Sequence, residues 1–135
     1  MLEPDSDPIE AFLSGEPFAV AGASTNRDKY GNKVLRCYVQ NGRRAFPVHP
    51  RESEIEGLTA YPSVADLPEL VHGLSIITPP EITVQVVKEA LAEGIRYIWM
   101  QPGAEHPDAI AEAESVGATV IHGGPCLLVA LGYRE

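Results

Sequence analysis

A chain of 135 residues, 44% hydrophobic and 21% charged, holds enough material for one well-packed core and too little for two, so one domain spanning 1–135 is expected. Its net charge of -9 excludes the broad basic surface that nucleic-acid binding needs. The two cysteines, Cys37 and Cys126, lie far apart and form no C-x-x-C pattern, which excludes a disulfide framework and a zinc site and leaves them as small buried apolar residues.

The acidic N-terminus "MLEPDSDPIEAF" carries neither a basic n-region nor a long apolar run, so neither a secretory signal nor a membrane anchor is expected and the cytoplasm is the default location. "PIEAFLSG" predicts a short helix capped by Asp7, with Pro8 at its first position and Gly15 ending it. "PFAVAG" reads as a strand buried on both faces. In "GNKVLRCYVQNG", Val34, Leu35, Tyr38 and Val39 recur at helical spacing. Lys33, Arg36 and Gln40 fall opposite, with Arg36 turned to solvent, and Asn41 and Gly42 stop the helix. "RAFPVHP" is a second strand in which Pro47 marks an edge or an irregular pairing. "ESEIEGLTAYPSVADLPEL" then crosses the molecule with a short helix near Ser63 to Asp66, Ser63 being its N-cap.

"GLSIIT" is a third strand, stopped by Pro79 and Pro80. From Glu81, "EITVQVVKEALAEG" repeats Ile82, Val86, Ala90 and Leu91 along an amphipathic helix that ends at Gly94. "IRYIWMQ" is a fourth strand, with Tyr97 and Trp99 in the core. "HPDAIAEAESVG" is a helix, "ATVIHGG" a fifth strand, and "GPCLLVALGYRE" a short helix over the core. Short strands alternating with helices imply right-handed crossovers, so the fold class is α/β: a Rossmann-like three-layer domain with a mostly parallel sheet of about five strands.

In such a sheet the ligand crevice lies outside the carboxyl ends of the strands, where strand order reverses. The first loop, "GASTNRDKYGN", departs from the dinucleotide pattern G-x-G-x-x-G, because Ser24 and Arg27 stand where its second and third glycines belong and Gly31 comes too late. Seven of the ten Lys and Arg residues fall between Arg27 and Arg51, with Asp28 the only acid among them, which makes that window +6 and the rest of the chain -15. A cationic patch on an acidic protein points to a compact anionic ligand. The loop offers backbone N–H groups at Gly22, Ala23, Ser24 and Thr25, hydroxyls at Ser24 and Thr25, and the cations Arg27 and Lys29. With Asn26 and a helix start near Asn32, this reads as a phosphate or pyrophosphate cradle. Arg43 and Arg44 precede the second strand and so belong to the opposite end of the sheet.

After the second strand an NAD site would carry an acid for the ribose 2′-hydroxyl, but here stand His49, Pro50 and Arg51. Arg51 suits a phosphorylated ribose, either the 2′-phosphate of NADP or the 3′-phosphate of coenzyme A. Thr78, Pro79 and Pro80 form a rigid apolar ledge for an adenine or a pantetheine arm. Tyr30, Asn32 and Lys33 at the helix start, and Gln101 and Pro102 after the fourth strand, complete the candidate set. No catalytic constellation emerges: His49, His72, His106 and His122 sit on separate loops, and His72 and His106 read as surface residues. His122 and Cys126 lie at a strand end from which they could reach the cleft, though spacing alone does not make them a nucleophile pair.

The ordered motifs "GAS" with "KYGNKV", "FPVHPRE", "GLTAYPSVADLP", "IITPPE", "WMQPGAEHP" and "GGPC" give the chain its resemblance to the stand-alone bacterial CoA-binding proteins, which look like the N-terminal CoA-binding domain of the succinyl-CoA synthetase α subunit. The resemblance spans about Pro17 to Val129. It implies a Rossmann-type fold holding coenzyme A, with Ser24, Thr25, Asn26 and Arg27 at the pyrophosphate, Arg51 at the 3′-phosphate, and Thr78, Pro79 and Pro80 near the adenine. His49 replaces the asparagine of the family's "VNP". The chain has no room for the synthetases' phosphohistidine domain, so the expectation is a CoA or acyl-CoA binding, sensor or carrier module without catalysis of its own, with a protein partner allowed. The alternative is a small NADP-dependent oxidoreductase, and a mixed disulfide between Cys126 and the CoA thiol is a further reading.

Overall fold

A computed structural model describes residues 7–135; the first six residues, on which part of the reading of the N-terminus rests, lie outside the described residues. The Asp7 carboxylate accepts a hydrogen bond from the Ile9 N–H at 2.9 Å and Pro8 takes the first helical position, so α1 (Pro8–Leu13) starts at its N-cap signal. β1 (Phe18–Ala21) follows and is buried along its whole length. Then come α2 (Tyr30–Gln40), β2 (Ala45–Val48), the short strands β3 (Glu54–Ile55) and β4 (Leu58–Thr59), and a 3₁₀ turn at Val64–Asp66. β5 (Gly73–Ile76), α3 (Pro80–Ala92), β6 (Tyr97–Met100), α4 (Pro107–Ser115) and β7 (Thr119–Ile121) complete the alternation, and a π-helical turn at Leu128–Gly132 lies against α2.

The main sheet has five parallel strands in the order β2-β1-β5-β6-β7. Alternating residues of each strand feed two separate cores, as the period-two geometry of strands requires. On one face Ala19, Leu74, Ile76, Ile98 and Met100 meet Val87 and Ala90 of α3 and Ala109 and Ala113 of α4. On the other, Phe18, Val20 and Trp99 meet Phe12 of α1 and Val34, Leu35, Cys37 and Tyr38 of α2. This is the three-layer Rossmann-like arrangement. Pro47 sits in the edge strand β2, where a missing donor is tolerated.

Several local readings change. β3 and β4 form a hairpin that the sequence did not announce, turned by Glu56 (φ 52°) and Gly57 (φ 79°). Ser63 takes the N-cap position, but its hydroxyl donates to the Asp66 carboxylate at 2.8 Å instead of capping the backbone. In α3 the buried positions are Thr83, Val87 and Ala90, while Ile82 is 49% exposed. Val39 of α2 is likewise exposed. His72 is half-buried, stacked on Tyr97 with ring centroids 4.6 Å apart. His106 is also half-buried and caps α4, its Nδ1 accepting from the Asp108 N–H at 3.1 Å.

Two glycines bring the elements together at the carboxyl edge. Gly22 has φ 96° and lies so close to the β5 exit that a Cβ there would stand 2.9 Å from the Ile77 carbonyl. Gly31, in the first turn of α2, packs on Gly22 itself: a Cβ on Gly31 would fall 2.0 Å from the Gly22 carbonyl oxygen. Farther along the edge, the Glu105 carboxylate accepts from the N–H groups of Gly103 at 2.9 Å and Gly123 at 3.3 Å, tying the loop after β6 to the loop after β7. Burial pushes the Glu105 carboxyl up, but these backbone donors, with His122 nearby, outweigh it and the net displacement is downward.

Gly31→Ala should cost at least about 2 kcal/mol by overpacking, or abolish folding, as read by urea denaturation. Because the folded carboxyl of Glu105 lies below its ordinary value of 4.5, its contribution is complete above that pH and is lost as pH falls through the folded value. Glu105→Gln should therefore be less stable than wild type at about pH 7, and the difference should shrink as pH falls below 4.5.

Candidate functional site

Strand order reverses between β1, whose next strand β2 lies on one side, and β5 on the other. The loops leaving these two strands frame a crevice with two arms that share Thr78. One arm, of ≈ 340 Å³, is lined by Lys29, Ile77, Thr78, Pro79, Pro102, Gly103 and Ala104. The other, of ≈ 260 Å³, is mostly apolar and is walled by Pro50, Pro62, Val64, Ile82 and Val86, with Gly22 at its floor. Pro62, Ile82 and Val86 were not among the residues that the sequence nominated. Pro79 belongs to the first arm, and Pro80 opens α3 at its first position. The apolar wall therefore comes from the β2 exit and α3, and the expected ledge is corrected: of its three residues only Thr78 lines that arm.

The first loop is shaped by its own side chains. Ser24 Oγ accepts from the Asn26 N–H at 3.0 Å and Asn26 Oδ1 accepts from the Asp28 N–H at 3.0 Å, two local turns of the kind these residues favour. α2 begins at Tyr30, two residues before the expected Asn32, with Lys29 at the N-cap position and no side chain capping it. Asn32 is fully buried, and its Nδ2 donates to the Ser24 carbonyl at 2.8 Å and to Glu56 Oε2 at 3.0 Å. Its Oδ1 accepts from Arg36 Nε at 2.6 Å, while Arg36 Nη2 donates to the Arg27 carbonyl at 2.8 Å. Asn32 and Arg36 thus build the loop from within, which corrects both the solvent-facing reading of Arg36 and any direct ligand contact by the Asn32 amide. Among the described residues, the N–H groups of Ala23, Ser24, Thr25, Arg27, Tyr30 and Gly31 have no hydrogen-bond partner. Unsatisfied donors gathered at the positive end of a helix favour an anion.

At the β2 exit His49 Nδ1 accepts from the N–H groups of Arg51 at 3.0 Å and Glu52 at 3.1 Å. The imidazole thereby does what an asparagine side chain does in such a turn, so the substitution leaves the backbone there in order. Arg51 is exposed and has no ion-pair partner among the described residues. Thr25, Asn26, Arg27 and Lys29 are also exposed. Lys33 lines neither arm, its ammonium pairing with Glu135 at 3.2 Å.

Beyond the first arm lies a third group. The Tyr30 hydroxyl donates to Gln101 Oε1 at 2.9 Å and stands 2.6 Å from Cys126 Sγ. Gln101 Oε1 also accepts from the Leu127 N–H at 2.9 Å, yet its Nε2 is buried without a partner among the described residues. Burial first, and then the Cys126 thiol, push the Tyr30 phenol up. It keeps its proton at neutral pH, and with that proton given to Gln101 the thiol is the donor to the phenol oxygen. Burial likewise pushes the Cys37 thiol up to about 11. His122 has no hydrogen bond to this group among the described residues, and lines a cleft with Pro8, Ile9 and Pro125.

A larger cleft of ≈ 430 Å³ lies at the amino end of β2, lined by Arg43, Arg44, Phe46 and Tyr61 among others. Its cations are engaged, Arg43 with Glu16 at 3.4 Å and Arg44 with Glu69 at 2.8 Å, and it carries no helix N-terminus. Size alone does not make it the site. Among the described residues no group of three or more His, Cys, Asp and Glu could hold a metal ion, and no helix is long and apolar enough to cross a membrane.

The chain is similar to known proteins over most of its length. The family model described as a CoA binding domain matches residues 16–132. The α subunit of ADP-forming acetate–CoA ligase II from Pyrococcus furiosus is 30% identical over 89 residues, covering 65% of this chain and 20% of that protein. ADP-forming acetate–CoA ligase II from Archaeoglobus fulgidus is 35% identical over 80 residues, covering 58% of this chain and 12% of that protein. The chain thus spans a fifth or less of the length of these relatives. Among solved structures, a conserved hypothetical protein from Pyrococcus furiosus superposes with a TM-score of 0.81 at 38% identity, covering 86% of this chain and 99% of that one. Acetyl-coenzyme A synthetase 1 from Ca. Korarchaeum cryptofilum gives a TM-score of 0.73 at 26% identity, covering 83% of this chain and 27% of that one. The family model spans most of the chain, and the chain belongs to the CoA binding domain family.

Proposed function

We propose that the protein binds coenzyme A or an acyl-CoA at the carboxyl edge of its sheet, as a module without catalytic activity of its own. The observation that carries this reading is the set of unpartnered N–H groups at Ala23, Ser24, Thr25, Arg27, Tyr30 and Gly31, on a loop that also carries Lys29, together with the exposed Arg51 after β2. Such donors would hold a diphosphate without side-chain help. Arg51, beside Pro50 of the apolar arm, would take the ribose 3′-phosphate, and that arm would take the adenine. The arm lined by Thr78, Pro79 and Pro102 would carry the pantetheine chain toward Gln101, whose orphaned Nε2 fits an amide or thioester carbonyl. Family membership and the ligase relatives support this ligand. The relative named as a ligase subunit also supports a protein partner, and the proposed setting is the cytoplasm.

Isothermal titration with CoA, dephospho-CoA, NADP and NAD tests the reading. CoA should bind about tenfold more tightly than dephospho-CoA, and Arg51→Ala should remove that difference. Equal binding of the two by wild type would remove the role of Arg51, and binding of NADP alone would overturn the proposal. In the same reading the thiol end of the ligand comes to Cys126. Incubation with oxidised CoA should then yield, by thiol–disulfide exchange, one protein–CoA disulfide and one free CoA thiol, visible by mass spectrometry in wild type and missing in Cys126→Ser.

A further inference from the structure

Glu56 stands where a side chain of its length is unusual. It is the first central residue of the two-residue turn joining β3 and β4, and its φ of 52° is a conformation that Gly, Asn and Asp adopt more readily. Asparagine would serve the turn better. What glutamate adds is reach: Oε2 lies 3.0 Å from Asn32 Nδ2 and 3.3 Å from Arg27 Nε. One oxygen therefore joins the hairpin to the buried anchor of the first loop and to its exposed cation. The Arg27 side chain is 64% exposed against 23% for Glu56, and among the described residues neither Nη of Arg27 has a hydrogen-bond partner.

We propose that Glu56 is a positioning residue for diphosphate recognition. Its carboxylate pairs with the Arg27 guanidinium on the Nε side at 3.3 Å, an ion pair and not a hydrogen bond, and leaves both Nη groups to an anion seated on the loop. A guanidinium held on one edge loses less freedom when its other edge binds a phosphate. The hairpin also follows Arg51 by a few residues, so the same carboxylate fixes the segment carrying the ribose-phosphate cation against the segment carrying the diphosphate donors. Local backbone strain is retained at the turn because the longer side chain is needed elsewhere. This inference rests on the CoA reading above and names a residue that sets its affinity.

The test compares wild type, Glu56→Asn, Glu56→Gln, Arg27→Ala and the Arg27→Ala/Glu56→Asn pair, titrated with CoA and with pantetheine, which carries no phosphate. Glu56→Asn suits the turn but cannot reach, so it leaves an Asn32 donor unpaired and its melting temperature should fall by several degrees, while CoA binding, measured well below that transition, weakens about tenfold. Pantetheine binding should not change. Glu56→Gln can still meet Asn32 and should fall between the two. In the Arg27→Ala background, Glu56→Asn should lose less affinity than it does in wild type, because only the Asn32 contact is left to remove. Unchanged or tighter CoA binding by Glu56→Asn would overturn the proposal, tighter binding marking the carboxylate as a competitor of the ligand. An undiminished loss in the Arg27→Ala background would overturn it as well. Wild type that fails to bind CoA would remove the underlying reading and this proposal together, whereas wild type and Glu56→Asn binding alike would remove this proposal alone.

Discussion

Asn32 enters the core with two N–H groups and a carbonyl that no water reaches, and all three are used: Ser24 and Glu56 take the donors and Arg36 supplies the acceptor's partner. A buried polar group left without partners costs about 1–3 kcal/mol, so each contact constrains the others. The first loop follows from this. With the carbonyls of Ser24 and Arg27 held by Asn32 and Arg36, the loop is drawn onto the protein by its acceptors, and the N–H groups of Ala23, Ser24, Thr25 and Arg27 stay without partners among the described residues. A connection of this length needs no such anchoring. An anion site does, because donors already aligned need not be reorganised when the anion arrives.

The glycines show how the dinucleotide problem is solved here with fewer of them. In the G-x-G-x-x-G pattern one glycine makes the turn, one lets the backbone near the phosphates and one lets helix and strand pack closely. Gly22 makes the turn and also the approach to the β5 exit, and Gly31 provides the close packing from inside the first turn of α2. The longer loop between them accommodates Ser24, Asn26 and the cations. The last glycine of the pattern is thus displaced along the chain, and its job remains.

The sheet was legible because its strands are short apolar runs bounded by glycine or proline, and Pro47 marked the edge strand. Topology alone named the carboxyl end of the sheet for the candidate site, and Arg43 and Arg44, which precede β2, fell at the other end as expected. What sequence could not show was pairing across distance. Asn32 meets Ser24 eight residues away and Glu56 twenty-four away, and neither periodicity nor charge signals such contacts. The β3–β4 hairpin was missed because two-residue strands have no period and Glu-Gly is a weak turn signal beside Asn-Gly. Ile82 and Val86 carried the spacing of a core stripe; Val86 does pack on the core while lining the apolar arm, whereas Ile82 is 49% exposed and lines that arm, and helical spacing does not distinguish a core from the wall of a crevice. His72 looked polar enough for the surface, but its ring packs on Tyr97 while Nε2 meets the Ala11 carbonyl at 3.0 Å.

The central claim is that the ligand sits at the carboxyl edge, on the free donors of the first loop, and not in the larger cleft at the amino end of β2. Backbone amide chemical shifts followed by NMR during a titration with CoA locate it directly. The account predicts the strongest changes at Ala23 to Gly31, with further changes at Arg51 and Thr78 and none around Arg43, Arg44 and Phe46. Changes centred on Arg43 to Phe46, with the amides of Ala23 to Gly31 unmoved, would contradict it.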